Sequence, residues 1–448
     1  MILNLLRLLV LTNTDKTIIR ITHIYKQKLF YLVFLMLGVT NICAQQGVVN
    51  EINYTGNKKT KAVFLDRIIK VKKGKAIDSL QIINDIERIK RLDGVAFATY
   101  TVEKMGNDYN VTYNLTENFS IIPGLRIGQA NDDSFSFRVS VFEFNGLGRN
   151  IIAGGFYQRE VFNSFGLFLE HPYLFTNKLG LGINYQDITT QQPIYSGDQQ
   201  TDYNYTLRGP ELTLFYEHNF NNRFELGFRA FEERYVTIEE EMQNIIPINA
   251  PEPELNSQVV RASYEYIDLD LEFHNLSGVR NFFDANYFLK NEGLLQTEYI
   301  LNNTTQYFTR IGKRGNWANQ LQLQYSNPVD NTNFVPITID NQLNTRGAGN
   351  TIDRGTASFA VNTEYRYSLI EKNWFVLQGN AFVDISGIQR PGNDLNDIFS
   401  EDRFRVYPGV GFRLIHKRIF NAVIRFDYGF NVTGDGENGV VFGIGQYF

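Results

Sequence analysis

Cysteine is almost missing from this 448-residue chain. The single one, Cys43, can build neither a disulfide framework nor a cysteine-rich zinc site. Histidine is scarce as well. His23, His171, His218, His274 and His416 are scattered with no metal-ligand spacing, so no metal and no other cofactor is expected. Proline is low at 11 and glycine moderate at 36, which excludes a collagen-like or low-complexity chain. Charged residues reach only 20% and sum to −5, so no basic field is present to hold nucleic acid. Long apolar runs are missing too, and the mean hydropathy is below zero, which excludes a bundle of membrane helices. No Gly-x-Ser-x-Gly elbow, phosphate loop or nucleophile–base constellation occurs. No catalytic residue is therefore assigned, and the chain reads as a non-enzyme. What it has in plenty is aromatic rings, at 14%, with 36 Phe and 25 Tyr.

The one apolar stretch, Leu29–Val39, follows Lys26 and Lys28 and leads into Ile42-Cys43-Ala44. A basic, then apolar, then small-residue order is that of a secretory signal peptide, with cleavage expected after Ala44. Lipidation at Cys43 is the alternative, although Thr40-Asn41-Ile42 before it makes a poor lipidation motif. Residues 1–44 thus read as an N-terminal extension and signal peptide.

Beyond them the composition changes near Asn118. Residues 45–118 carry an excess of basic residues, whereas residues 119–448 are strongly acidic. The first stretch reads β-α-α-β-β. Val48–Tyr54 alternates as a strand before a Gly56-Asn57 turn. Ala62, Leu65, Ile68 and Ile69 have helical spacing, and Leu80, Ile83, Ile86, Ile89 and Leu92 predict a second amphipathic helix. Val95–Val102 and Tyr109–Leu115 read as two further strands joined at Gly106-Asn107.

Residues 119–448 show no helical period. Segments of about ten residues alternate apolar and polar positions. Ala422, Ile424, Phe426, Tyr428 and Phe430 share one face, and Arg425, Asp427 and Gly429 the other. In the final segment Val440, Phe442, Ile444 and Phe448 share a face. About sixteen such segments are expected, starting near 120, 134, 150, 164, 179, 209, 224, 257, 280, 293, 316, 357, 374, 404, 420 and 440. Short connections such as Asn145–Arg149 and Ile370–Asn373 alternate with long polar ones. The long ones are Thr189–Thr206, Tyr235–Asn256, Asn327–Thr356 and Ser386–Arg403. With an export signal, this pattern predicts a transmembrane β-barrel rather than a soluble sandwich. Glu239-Glu240-Glu241, in the loop with Pro247, Pro251 and Pro253, reads as a solvated charge run.

At this point the chain resembles a family. Asn53-Tyr54-Thr55-Gly56-Asn57 and Arg91-Leu92-Asp93-Gly94-Val95-Ala96-Phe97 resemble a single POTRA domain. The barrel resembles the surface-antigen barrel of the BamA and two-partner-secretion superfamily. Thr345-Arg346-Gly347-Ala348 is similar to the family's Val-Arg-Gly-aromatic signature on its sixth outer loop, with Thr and Ala at the flanks. Asn362–Arg366 and Phe382–Gly387 resemble the family's twelfth and thirteenth strands. The resemblance implies that Arg346, next to Gly347, folds into the lumen to meet Asp384 and Glu364. Both acids also fall on the lumen-facing parity of their strands. The terminal Tyr447-Phe448 resembles the aromatic ending that marks a barrel for assembly into the outer membrane.

The fold expected is an α+β POTRA domain followed by an all-β barrel of about sixteen antiparallel strands. The resemblance implies a factor that captures unfolded or extended polypeptide clients and inserts them into, or passes them across, the outer membrane. Its partners would be the lipid bilayer and those clients, with periplasmic chaperones or accessory lipoproteins besides, and no nucleic acid. A passive pore and a surface adhesin or structural barrel are the alternatives.

Overall fold

The computed structural model describes residues 47–448, except 130–134, 160–161, 197–198, 238–254, 273, 293–296, 329–335, 340–344, 349–352, 391, 418, 420–421, 434–437 and 445–447. The signal peptide, the Glu239–Glu241 run with its prolines, and Tyr447 lie outside the described residues. The chain separates into two compact units. Among the described residues, one holds Gly47–Glu51 with Lys73–Ile77 and Glu103–Asn110. The other holds Ile52–Lys72, Asp78–Val102 and Val111–Phe448. The first is tied by its own backbone, with Val49 N donating to the Lys75 carbonyl at 2.8 Å and Tyr109 N to that of Val48 at 2.9 Å.

The N-terminal elements run β1 (Val49–Thr55), α1 (Ala62–Ile68), α2 (Ser79–Lys90), β2 (Val95–Met105) and β3 (Asp108–Glu117). The sheet order is β1-β3-β2, which leaves β2 at an edge. Asp78 caps α2 through its carboxylate, which accepts from Leu80 N and Gln81 N. Ile82, Ile86 and Ile89 bury the inner face of this helix, with Leu92 just beyond it. Leu80 and Ile83, expected on that face, are instead 67% and 44% exposed. A three-residue repeat falls about 60° behind the helix at every step, so Leu80 and Ile89 end on opposite sides. Beneath α2 the buried carboxylate of Asp85 accepts from Lys70 N at 2.6 Å, Val71 N at 2.9 Å and the Tyr113 hydroxyl at 3.1 Å. Three donors offset the cost of burying this group, and they fix the chain between the helices.

The remaining strands are β4 (Ile121–Gln129), β5 (Phe135–Gly146), β6 (Ile151–Arg159), β7 (Asn163–His171), β8 (Leu179–Ser196), β9 (Gln199–Glu217), β10 (Asn222–Thr237) and β11 (Leu255–Glu272). After them come β12 (Asn275–Asn291), β13 (Thr297–Ile311), β14 (Gly315–Pro328), β15 (Ile337–Ile339), β16 (Asp353–Gly355), β17 (Ala357–Glu371), β18 (Phe375–Gln389), β19 (Arg405–His416), β20 (Val423–Gly429) and β21 (Gly439–Ile444). Sixteen of them form one antiparallel sheet in chain order from β4 to β21, while β15 and β16 pair separately. Among the described residues no pairing joins β4 to β21.

The sheet is inverted with respect to a soluble protein. Ile424, Phe426 and Tyr428 are 48%, 49% and 40% exposed, while Arg425 and Asp427 between them are buried. Leu321, Leu323 and Tyr325 are exposed and Gln320 is buried. An apolar face turned outward and a polar face turned inward suit a wall between lipid and lumen.

Two expectations are corrected here. Thr189–Thr206 is not a loop, because β8 and β9 stay paired from Thr189↔Thr206 up to Ser196↔Gln199. Threonine and tyrosine are good strand formers, so the polarity of this stretch did not end the pairing. Phe448 does not share the face of Val440, Phe442 and Ile444. Its carbonyl accepts from Arg366 Nη2 at 2.7 Å, on the polar side of the sheet.

Candidate functional site

The segment between β14 and β17 returns to the polar face of the sheet at Thr345–Ala348, four residues that are all buried. Its approach depends on glycine. Gly347 has φ +100°, and a Cβ there would lie 2.8 Å from Gly429 Cα and from a Tyr407 ring carbon. Only glycine takes this backbone without strain in so narrow a space.

Arg346, fully buried, is clamped by two strands. Its Nε donates to Asp384 Oδ2 at 2.8 Å and its Nη2 to Asp384 Oδ1 at 2.9 Å, while its backbone N–H adds a third bond to Oδ2 at 2.9 Å. Nη1 reaches Glu364 Oε2 at 2.6 Å. The guanidinium plane stacks on the Phe382 ring with its carbon 3.7 Å from the centroid. Planar two-point contact and stacking are what a guanidinium offers and an ammonium does not.

β17 presents Glu364 and β18 presents Asp384 because residues of one parity face the same side. The same rule brings further groups that the sequence reading left without a role. Arg413 on β19 donates to Glu364 Oε2 at 2.9 Å, and Arg366 donates to Glu364 Oε1. Asp427 on β20 lies 3.9 Å from Arg346 Nη1 and accepts from Asn380 Nδ2 at 3.0 Å. The rings of Phe448 and Phe382 flank the cluster, with the Arg366 guanidinium carbon 5.2 Å from the Phe448 centroid. The signal that would have found Arg413 and Asp427 is inward parity on adjacent strands. It shows in the register Arg413↔Arg425 and Gly411↔Asp427.

The cluster therefore joins the loop tip to strands β17, β18, β19 and β20. Buried carboxylates and guanidinia at these distances hold each other in place, and nothing in the arrangement resembles a nucleophile with a base. Among the described residues no group of acids, histidines and cysteines could hold a metal. A second ladder lies along β9 to β11. There Glu211 accepts from Arg229 Nη2 at 2.5 Å and Arg261 Nε at 2.9 Å, which ties three neighbouring strands without a loop.

The small N-terminal elements meet the sheet through several polar contacts within one compact unit. Buried Arg88 pairs with Glu217, whose other oxygen accepts from Tyr173 at 3.2 Å. Lys59 Nζ pairs with Glu143 at 2.7 Å, and Asn145 Nδ2 donates to Thr60 Oγ1 at 2.9 Å.

Residues 47–118 match the POTRA family, described as the surface antigen variable number repeat. No curated protein matches the chain. Solved structures with a similar fold include BamA from Haemophilus ducreyi lacking POTRA domains 1–3, at 15% identity and TM-score 0.53, covering 88% of this chain and 83% of that one. CdiB from Escherichia coli matches at 12% identity and TM-score 0.62, over 89% of this chain and 75% of its own. CdiB from Acinetobacter baumannii matches at 13% and 0.56, over 89% and 73%. A POTRA domain followed by sixteen antiparallel strands in one sheet, an arrangement shared with the BamA and CdiB structures, is the fold of this chain.

Proposed function

We propose that this chain works in the outer membrane, inserting polypeptides into it or passing them across. In this reading residues 45–118 form a periplasmic domain and residues 119–448 the barrel. Clients in extended form add to the free edge of β2, where Tyr100 and Val102 stand exposed. Backbone hydrogen bonds would then supply affinity without demanding one client sequence. The barrel wall carries the client onward, and Arg346, held by Asp384 and Glu364, braces the sixth outer loop inside it. No nucleotide is available in the periplasm, so the free energy comes from the client's own folding, which satisfies its backbone polar groups in lipid.

The observation that carries the proposal is the POTRA-type unit directly preceding a sixteen-stranded sheet with a loop arginine clamped on its polar face. A photo-reactive residue at Tyr100 tests it in intact cells. Crosslinks to outer-membrane or exported polypeptides before they fold are expected. No crosslinks, together with a stable open conductance in planar bilayers, would instead make the chain a passive pore.

A further inference from the structure

The segment between β18 and β19 rests on the outside of the sheet. Its short 3-10 turn, Leu395–Phe399, lies against the outward face of β17 and β18. Ile398 is buried over Gly387, where a Cβ would come within 2.6 Å of the Ile398 carbonyl oxygen and 2.7 Å of its Cγ2. Phe399 and Phe404 set their rings 5.7 and 6.3 Å from Phe359, an outward residue of β17. The segment's charges are tied among themselves. Arg390 donates through Nη2 to Asp397 at 2.6 Å and through Nη1 to Asp402 at 3.2 Å. Leu395 and Phe399 are left 60% and 67% exposed.

We propose that this turn is a lipid anchor, seated at the outer-leaflet boundary with Leu395 and Phe399 among the acyl chains. The inference rests on the reading of the sheet as an outer-membrane barrel. Its occupant follows from continuity with the lipid-facing wall. A tilted strand crosses the hydrocarbon in about 9–11 residues. Counted along β17 from Tyr367, an exposed outward residue near the periplasmic turn, that span ends at Ala357–Phe359, where the turn is seated. An apolar pair exposed at that height meets the same solvent as the outward residues below it. An aromatic and a leucine on a polar, self-paired scaffold are the side chains that bind such an interface. The strands gripped from outside are the two that supply Glu364 and Asp384 inside. The anchor therefore fixes the height of the wall that holds Arg346.

The test uses the full chain with Cys43→Ser and single cysteines at Phe399, Leu395, Glu401 or Leu323, each labelled with an environment-sensitive fluorophore. The protein is reconstituted in phosphatidylcholine vesicles that contain shallow or deep nitroxide lipids. Shallow nitroxides should quench positions 399 and 395 about twofold or more above position 401, while deep ones quench position 323. Equal quenching at 399 and 401, with strong protection of 323, overturns the anchor and leaves the barrel standing. No lipid quenching at 323 overturns both. A signal at 399 that follows the protein-to-lipid ratio assigns the turn to a second copy of the chain and also overturns the anchor.

Discussion

Asp384 takes three hydrogen bonds from Arg346, two from its guanidinium and one from its backbone N–H. The two ends of this contact are therefore unequal. Arg346→Ala removes the side-chain pair but leaves the backbone bond, whereas Asp384→Ala strands a buried guanidinium and a backbone donor together. Breaking a buried pair from one side costs about 3–5 kcal/mol, against about 0–1 for a surface bridge. Asp384→Ala should be the more damaging of the two, and the double variant less than additively worse. Arg346→Lys should rescue only in part. Thermal unfolding in detergent, read with client crosslinking, decides it. Strictly additive losses would refute the coupling.

Glu364 is shared by Arg346, Arg366 and Arg413, all buried. Neutralising it leaves three positive groups around one amide. Glu364→Gln should therefore destabilise by about 3 kcal/mol or more. Adding Arg413→Met should recover part of the loss, since it removes a charge left without its acceptor. A double variant worse than the single one would show that Arg413 holds the cluster through other contacts.

Much of this was legible in the sequence, for a physical reason. Alternation with a period of two survives in any strand that separates lipid from water, so Ile424–Tyr428 and Leu321–Tyr325 could be placed on the correct face. Most strand starts could be placed as well, since turns interrupt that period. The largest miss was β9, expected near 209 and starting at Gln199, because its polar first half lacks the alternation that marks a strand; β12 and β13, expected near 280 and 293, start at Asn275 and Thr297. Loop contacts are harder. Arg346 could be linked to Asp384 and Glu364 only by resemblance. The convergence of Arg413, Arg366 and Asp427 depends on register between strands, which one sequence does not show.

Gly347 offers a test of the narrow passage. Gly347→Ala would place a methyl group against Gly429 and Tyr407 on a backbone at φ +100°. Strain of this kind costs about 1–3 kcal/mol, and crowding adds to it. The expected result is a loop that no longer seats, with protease cleavage near residue 346 in whole cells. A variant that stays resistant, with unchanged unfolding, would show that the passage has slack.

The two faces of β20 should respond to charge in opposite ways. Phe426, outward and half exposed to the surrounding solvent, should lose about 2–4 kcal/mol on substitution by arginine if it lies near the membrane midplane. Arg425→Gln, on the inward parity, keeps a polar group toward the lumen and should cost much less. Urea titration of folded protein in lipid vesicles separates the two. Equal losses would contradict the assignment of lipid and lumen faces.

Asp93, next to Gly94 between α2 and β2, gives the small domain a pH dependence. Burial pushes its carboxyl up to about 6, and the nearby Arg223 offsets only part of that. An ordinary aspartate titrates near 3.9, so the folded chain binds this proton more tightly than the unfolded one. The sign follows from linkage. Stability from this group is present below about pH 4, is lost as the pH rises through about 6, and is constant above that. Asp93→Asn removes the titration while keeping the shape. The variant should match the parent near pH 4 and exceed it at pH 8, by about 1–3 kcal/mol. Unfolding of the full chain in detergent at both pH values measures the difference. A gap that is the same at pH 4 and pH 8 would mean that Asp93 acts through its packing and not through its charge.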